Sequence, residues 1–219
     1  MKYDSIVSVI TKAASVDLTT VEAARDELNI DGNDQDVRLA RWITQMSAYM
    51  ARWCNRVLAL EKVSEQWIVA DAVGWPWYPP TSNPPDPLMA RRTPIVAIES
   101  ITEDTNDPLT VEDYQFDAES GSIWRVHGSV RGWWSPMNIT VVYTGGYEVP
   151  KAVPPDLEQA CLALLKIRND TNERDRMLRA QVVPGVLEEQ WYNPASPGQP
   201  GMPPEVAELL TPYRRYNAP

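Results

Sequence analysis

The chain is short of the residues that most enzymes and cofactor proteins rely on. Its 219 residues include one histidine, His127, and two cysteines, Cys54 and Cys161. A single imidazole leaves no Ser-His-Asp or Cys-His set with a local signature. Each cysteine falls among apolar neighbours on a predicted helix face, so both read as small core hydrophobes rather than a redox pair. Zinc-ligand spacing, a P-loop and a G-x-G-x-x-G fingerprint are all absent. Gly145-Gly146 is no substitute, because Pro150, Pro154 and Pro155 separate it from the following helix. Long apolar runs are missing too. No early stretch suits a signal peptide, and none reaches the ~18 residues of a membrane span. The expectation is a protein without metal, cofactor, catalytic residues or membrane contact, made and used in a cytoplasm-like compartment.

Positive charge is also scarce, with 20 Lys and Arg against 30 Asp and Glu, a net charge of −10. Binding phosphate backbones or anionic membranes needs clustered cations, so a general nucleic-acid or membrane binder is disfavoured. Carboxylates are plentiful instead, notably Glu99, Glu103, Asp104, Asp113, Asp117 and Glu119. Two of them at a suitable separation could hydrolyse a glycoside. Nothing in the sequence singles out such a pair, and acids beside turns serve solubility.

What is present is aromatic and proline-rich: nine Trp, nine Tyr and 20 Pro beside a single Phe. Trp and Tyr join an apolar body to a polar tip, which suits interfaces as well as cores. The length allows about 70% of the unfolded surface to be buried without disulfide or metal.

Read in order, residues 1–17 are mildly apolar and expected extended or frayed. Thr20 followed by Glu22 is a helix start, and Asp31-Gly32-Asn33-Asp34 a break. Asp36–Arg56 is the strongest helix, with Leu39, Ile43, Met46, Met50 and Trp53 on one stripe. From Val63 the period changes. Strands are predicted at Ser64–Ala70, Pro94–Ile101, Asp113–Asp117, Ser122–Val126 and Ile139–Thr144, punctuated by turn residues. Between the first two lies Gly74-Trp-Pro-Trp-Tyr-Pro-Pro80, continuing into Asn83–Pro87. Proline forbids helix and central strand there. Trp75, Trp77 and Tyr78 form a candidate interface loop, with folding back over the sheet as the other reading.

Pro155, Asp156 and Glu158 then open a helix suited to its positive dipole end. Leu157, Ala160, Cys161, Leu164 and Ile167 make its apolar stripe, a mate for that of Leu39–Trp53. Asn172–Arg176 is a charged run. Asn193–Pro204 reads as a Pro/Gly linker. Val206, Leu209 and Leu210 mark a short helix, closed by Thr211–Tyr216. By its physics this end is either a tethered docking peptide or a terminus packed on its own unit.

The predicted architecture is α+β: an antiparallel helical bundle with an inserted small antiparallel β-sheet domain and a C-terminal docking arm. The expected parts are 1–61 helical, 62–147 β, 148–192 the long helix completing the bundle, and 193–219 the linker and arm.

Four pieces of this chain resemble the phage head–tail adaptor (connector) family, found beneath the portal in tailed phages and gene transfer agents. They are Ala51-Arg-Trp-Cys-Asn-Arg56, Arg92-Thr-Pro-Ile-Val-Ala-Ile-Glu-Ser-Ile101, Val141-Val-Tyr-Thr-Gly-Gly-Tyr147 with Val153-Pro-Pro-Asp-Leu157, and Leu209-Leu-Thr-Pro-Tyr-Arg-Arg215. The loop at 74–88 departs from the pattern, and the doubled Gly145-Gly146 is a smaller variation. The resemblance implies a homo-oligomeric ring, a dodecamer in the family, bound to the portal protein in the virion neck and assembled from host cytoplasm. It implies a lower face for a head-closure, stopper or tail protein, and a lumen that passes genomic DNA without specific binding. Portal docking carries over onto Val206, Leu209, Leu210, Tyr213, Arg214 and Arg215. The other expectations are a different neck protein, such as a head-closure or tail-terminator subunit, and a β-sheet ligand- or carbohydrate-binding module.

Overall fold

The computed structural model describes residues 3–69, 86–104, 107–134, 138–173, 180–183, 187–190 and 201–215. The chain forms two compact units, each built from separated stretches of sequence. Met1–Ala14 joins Val57–Glu148, and Ser15–Arg56 joins Val149–Pro219. The fold is mixed α+β.

Among the described residues the first unit is built of strands, with one 3-10 turn at Val111–Asp113. Its strands are β1 (Tyr3–Thr11), β2 (Glu61–Val69), β3 (Leu88–Met89), β4 (Ile95–Glu103), β5 (Tyr114–Asp117), β6 (Ser122–His127), β7 (Val130–Gly132) and β8 (Asn138–Gly145). Four of them form an antiparallel sheet in the order β1-β2-β8-β4. The remaining strands make a second sheet, β3-β6-β5, with β7 also on β6. One small sheet was expected from the sequence, and two are present. The short strands around the 118–121 and 128–129 turns close on each other before they can join the longer ladder.

The larger sheet has one dry face, because β8 alternates. Ile139, Val141 and Tyr143 are buried, while Thr140, Val142 and Thr144 between them are half-buried. On the same face lie Val63 and Trp67 of β2 and Ile101 of β4, and these share a core with Leu88 and Ile123 of the second sheet. The amino-terminal stretch, expected extended or frayed, is a full nine-residue strand on β2. Its partner lies far along the chain, beyond the reach of local patterning.

Gly145 and Gly146 end β8 where three backbone segments cross. A Cβ on Gly145 would lie 2.4 Å from the Arg92 carbonyl oxygen, and one on Gly146 would lie 2.4 Å from that of Ala59. Gly146 also has φ of 109°, which side chains rarely adopt. Its N–H donates to Pro94 O at 2.9 Å, and the next N–H, of Tyr147, donates to Leu58 O at 2.8 Å.

The second unit holds α1 (Val21–Leu28), α2 (Asp36–Trp53), α3 (Pro155–Glu173), α4 (Pro204–Leu210) and a hairpin of β9 (Ala180–Val183) and β10 (Leu187–Gln190). Thr20 caps α1 as expected, its hydroxyl accepting from Ala23 N–H at 3.2 Å. Asn29 ends the helix in the left-handed region, and its N–H satisfies late carbonyls of α1. α3 packs against α1, α2 and α4.

The stripes need two corrections. On α2, Leu39, Ile43 and Met50 are buried as expected, but Trp42 and Ser47 join them, while Met46 and Trp53 are half-buried. On α3, Leu165 is buried and Ile167 is exposed. At about 100° per residue, Ile167 lies about 80° around the helix from Leu157, off the stripe's centre.

Candidate interaction surfaces

The carboxyl-terminal segment is where the sequence-predicted docking residues fall. Pro204 occupies the first turn of α4, where its missing N–H costs nothing, and Glu205 follows at the positive end. Met202, Val206 and Leu210 recur every fourth residue and are 0%, 1% and 0% exposed. They are enclosed within the segment's own unit. Leu209 and Tyr213 are half-buried, and Arg214 is exposed. After α4, the Thr211 hydroxyl donates to Ala207 O at 2.7 Å, and a 3-10 turn at Thr211–Tyr213 brings the chain to the end of α2.

Three contacts fasten it there. The Arg214 guanidinium lies over the Trp53 ring, 4.7 Å from its centroid, a cation–π arrangement. Arg215 N–H donates to the Cys54 carbonyl at 2.8 Å, satisfying a group that α2 leaves orphaned at its end. The Tyr49 hydroxyl donates to Gly201 O at the other end of the segment. Burial pushes the Cys54 thiol up to about 11, against the pull of Arg56 and Arg214.

Cys161 sits deeper in the same unit. Its sulfur is 3.9 Å from Ser47 Oγ, which accepts from Leu18 N–H at 3.0 Å. Burial raises its thiol to about 12. Both cysteines are free and buried, matching the core role read from the sequence.

In the β unit, the polar cluster that counts was not singled out in the sequence. Glu65 on β2 is fully buried. Its Oε2 accepts from the Tyr143 hydroxyl at 2.6 Å and from Arg91 N–H at 2.9 Å. Tyr143 accepts in turn from Arg92 N–H at 3.0 Å, and Arg92 pairs with Glu61 at 2.8 Å. Burial first, then the Glu65 carboxylate, holds the Tyr143 phenol protonated well above its ordinary range. These bonds pin residues 90–92, which lead into β4.

The acids named from the sequence have several partners, and two of them share one. Glu99 pairs with Lys62 at 2.7 Å. Asp104 accepts from Asn138 N–H at 2.9 Å. Glu103 and Asp113 both approach the Arg125 side chain, at 3.5 and 3.2 Å. Arg125 is itself buried and donates to Asp113 O at 2.6 Å. Asp117 accepts from Glu119 N–H at 3.2 Å, and hydrogen bonding, chiefly from Ser120, lowers its pKa. His127 ends β6 on the exposed side. Among the described residues no group of three or more His, Cys, Asp or Glu is arranged to hold a metal ion.

Trp75, Trp77 and Tyr78 lie outside the described residues, as does the stretch 193–200 of the expected linker. Of the tryptophans within them, Trp42, Trp67 and Trp134 are core, while Trp133 is partly exposed. Trp124 carries the Arg131 guanidinium 4.4 Å from its ring centroid.

Comparison with solved structures aligns 97% of this chain with 97% of a chain from the neck of an empty gene transfer agent particle computed with C6 symmetry. The TM-score is 0.53 and the identity 15%. The fold is that of a chain from a gene transfer agent neck. The neck of the native particle computed with C12 symmetry gives a TM-score of 0.51 at 15% identity, over the same 97% of each chain. A chain in the virion of the native particle gives 0.53 at 16%, again over 97% of each. No protein-family model matches the sequence, and no curated protein matches it. At this identity the likeness to neck chains is one of fold, and it runs the whole length of the molecule. The chains that share this fold come from a gene transfer agent particle, one of the settings of the family that the four short motifs resemble.

Proposed function

We propose that this chain is a structural subunit of the neck of a tailed phage or gene transfer agent particle. In this reading it is a head–tail adaptor that forms a ring, twelvefold as in the family it resembles. The ring sits beneath the portal protein, extends the DNA channel, and offers its lower face to a head-closure, stopper or tail protein. The full-length likeness to neck chains carries the reading. The net charge of −10 supports it, since a lumen that attracted phosphate would brake the passing genome. Within it, the helical unit is an antiparallel bundle interrupted by the β unit, and 193–219 holds the linker and the portal-contact arm.

The arm rests on its own unit through Met202, Val206 and Leu210. Docking through those side chains requires release, whereas Tyr213, Arg214 and Arg215 are at or near the surface. Arg suits an acidic partner surface through paired charge-assisted bonds. The test mixes the full chain with portal rings and weighs the product by native mass spectrometry. The wild type is expected to join the rings, and Arg214→Glu with Arg215→Glu to fail while melting as a folded protein. A folded double variant that still joins removes the arm assignment. A wild type that ignores portal but binds other neck rings moves the chain to a lower tier, as a head-closure or tail-terminator subunit.

A further inference from the structure

The sheet β1-β2-β8-β4 ends differently on its two sides. At β4 the chain closes its own edge. Ile95 N–H donates to Ala118 O at 2.8 Å, and Ile101 O accepts from Leu109 N–H at 2.8 Å. Two bulges, at Ile95/Ala97 and Ile98/Ser100, twist the strand further. At β1 there is one register shift, at Val9/Thr11 near the strand's end, and no such closure by backbone bonds among the described residues. Among the described residues β1 pairs with β2 alone, and no backbone hydrogen bond reaches its outer side. The open edge is nine residues long, and Ile6 and Ile10 on it are 56% and 53% exposed. Ile6 stands opposite Gln66, so it shares a face with exposed Ile68. Natural edges of this length are blunted with lysine or proline. Tyr3-Asp-Ser-Ile-Val-Ser-Val-Ile-Thr11 contains neither.

A second element is incomplete in the complementary sense. Among the described residues β9 and β10 pair with each other alone, in register Ala180↔Gln190 to Val183↔Leu187. Among the described residues neither outer edge of this ribbon has a backbone partner, and a two-stranded ribbon is marginal alone in water.

We propose that the β9–β10 hairpin of one copy adds to the open β1 edge of the next, continuing the four-stranded sheet across the subunit boundary. The inference rests on the ring reading above and names its subunit contact. Symmetry selects the hairpin over a second β1. A β1–β1 contact is isologous and closes at two copies, whereas a donor meeting a different acceptor is heterologous and closes as a ring. The similar neck structures carry C6 and C12 symmetry.

Disulfide trapping tests it, since both native cysteines are buried and do not compete. Ser8→Cys is combined in turn with Gln181→Cys and Glu189→Cys in the full chain, which is concentrated, oxidised and run on a denaturing gel without reductant. The expected result is a ladder extending past the dimer from at least one pair, and no product from Ser8→Cys alone. A discrete dimer from Ser8→Cys alone means β1 pairs with itself and overturns the proposal. Fast-migrating monomers alone mean the hairpin closes within its own chain and also overturn it. If native mass spectrometry finds wild-type rings but no pair gives a ladder, the contact fails and the ring reading stands. If no oligomer forms at any concentration, with or without portal protein, both fail.

Discussion

Asp113 is held through both of its carboxylate oxygens. The Thr110 hydroxyl and N–H donate to its Oδ2 at 2.7 and 2.9 Å, and Arg125 stands beside it. The Thr110 bonds, then Arg125, hold its pKa at about 2 against an ordinary 3.8. A carboxyl depressed by folding stabilises the fold above its unfolded pKa, and that contribution disappears as pH falls through the folded value. Asp113→Asn is therefore expected to melt below the wild type at pH 5, with the gap narrowing between pH 4 and pH 2. Melting curves across that range check it, and a gap constant with pH would contradict it. The two thiols lie at the opposite extreme. Burial keeps Cys54 and Cys161 neutral across the physiological range, so neither carries thiolate chemistry.

Among the elements, α4 is the shortest helix and yet closes a core. Seven residues do not hold a helix in water alone. What holds it is the apolar row of Met202, Val206 and Leu210. Leu210→Ala is expected to cost about 2–4 kcal/mol, as for other buried leucines. Arg214→Ala, which removes one exposed cation–π contact, is expected to cost about 0.5–1 kcal/mol. Urea unfolding of the two variants, followed by tryptophan fluorescence, should rank them in that order. Their separation also shows why some elements were legible in the sequence. α1, α2 and α3 announce themselves through caps and a helical period, which are local signals. In the second sheet β5 and β6 sit between turn residues and were equally readable, whereas β3 and β7, two and three residues long, are too short to show a period. β1 was not, because its partner β2 follows only after two helices. Glu65 and Tyr143 were not, because their meeting depends on the register of β2 on β8, where Glu65 faces Val141 and Tyr143 lies two pairs along. Arg214 on Trp53 likewise follows only once the last helix has folded back.

At the scale of the whole molecule, neither unit is continuous in sequence. The β unit needs residues 1–14 as well as 57–148. A fragment of 57–148 alone lacks β1 and leaves the edge of β2 unpaired, so it is expected to aggregate. Joining 1–14 to 57–148 through a short Gly/Ser linker should restore a dispersed amide NMR spectrum. If 57–148 alone is soluble and well dispersed, β1 is dispensable to the unit's core. The same interleaving orders events on the ribosome. β1 emerges before its partner has been made and must wait through α1 and α2. By the time α3 has left the exit tunnel the β unit is complete, yet the helical unit still lacks the residues that cover Met202, Val206 and Leu210's seat. Until 201–215 emerge, the nascent chain carries one finished unit and one with an apolar seam open. Residues 201–215 are thus the piece that closes the apolar seam of the helical unit.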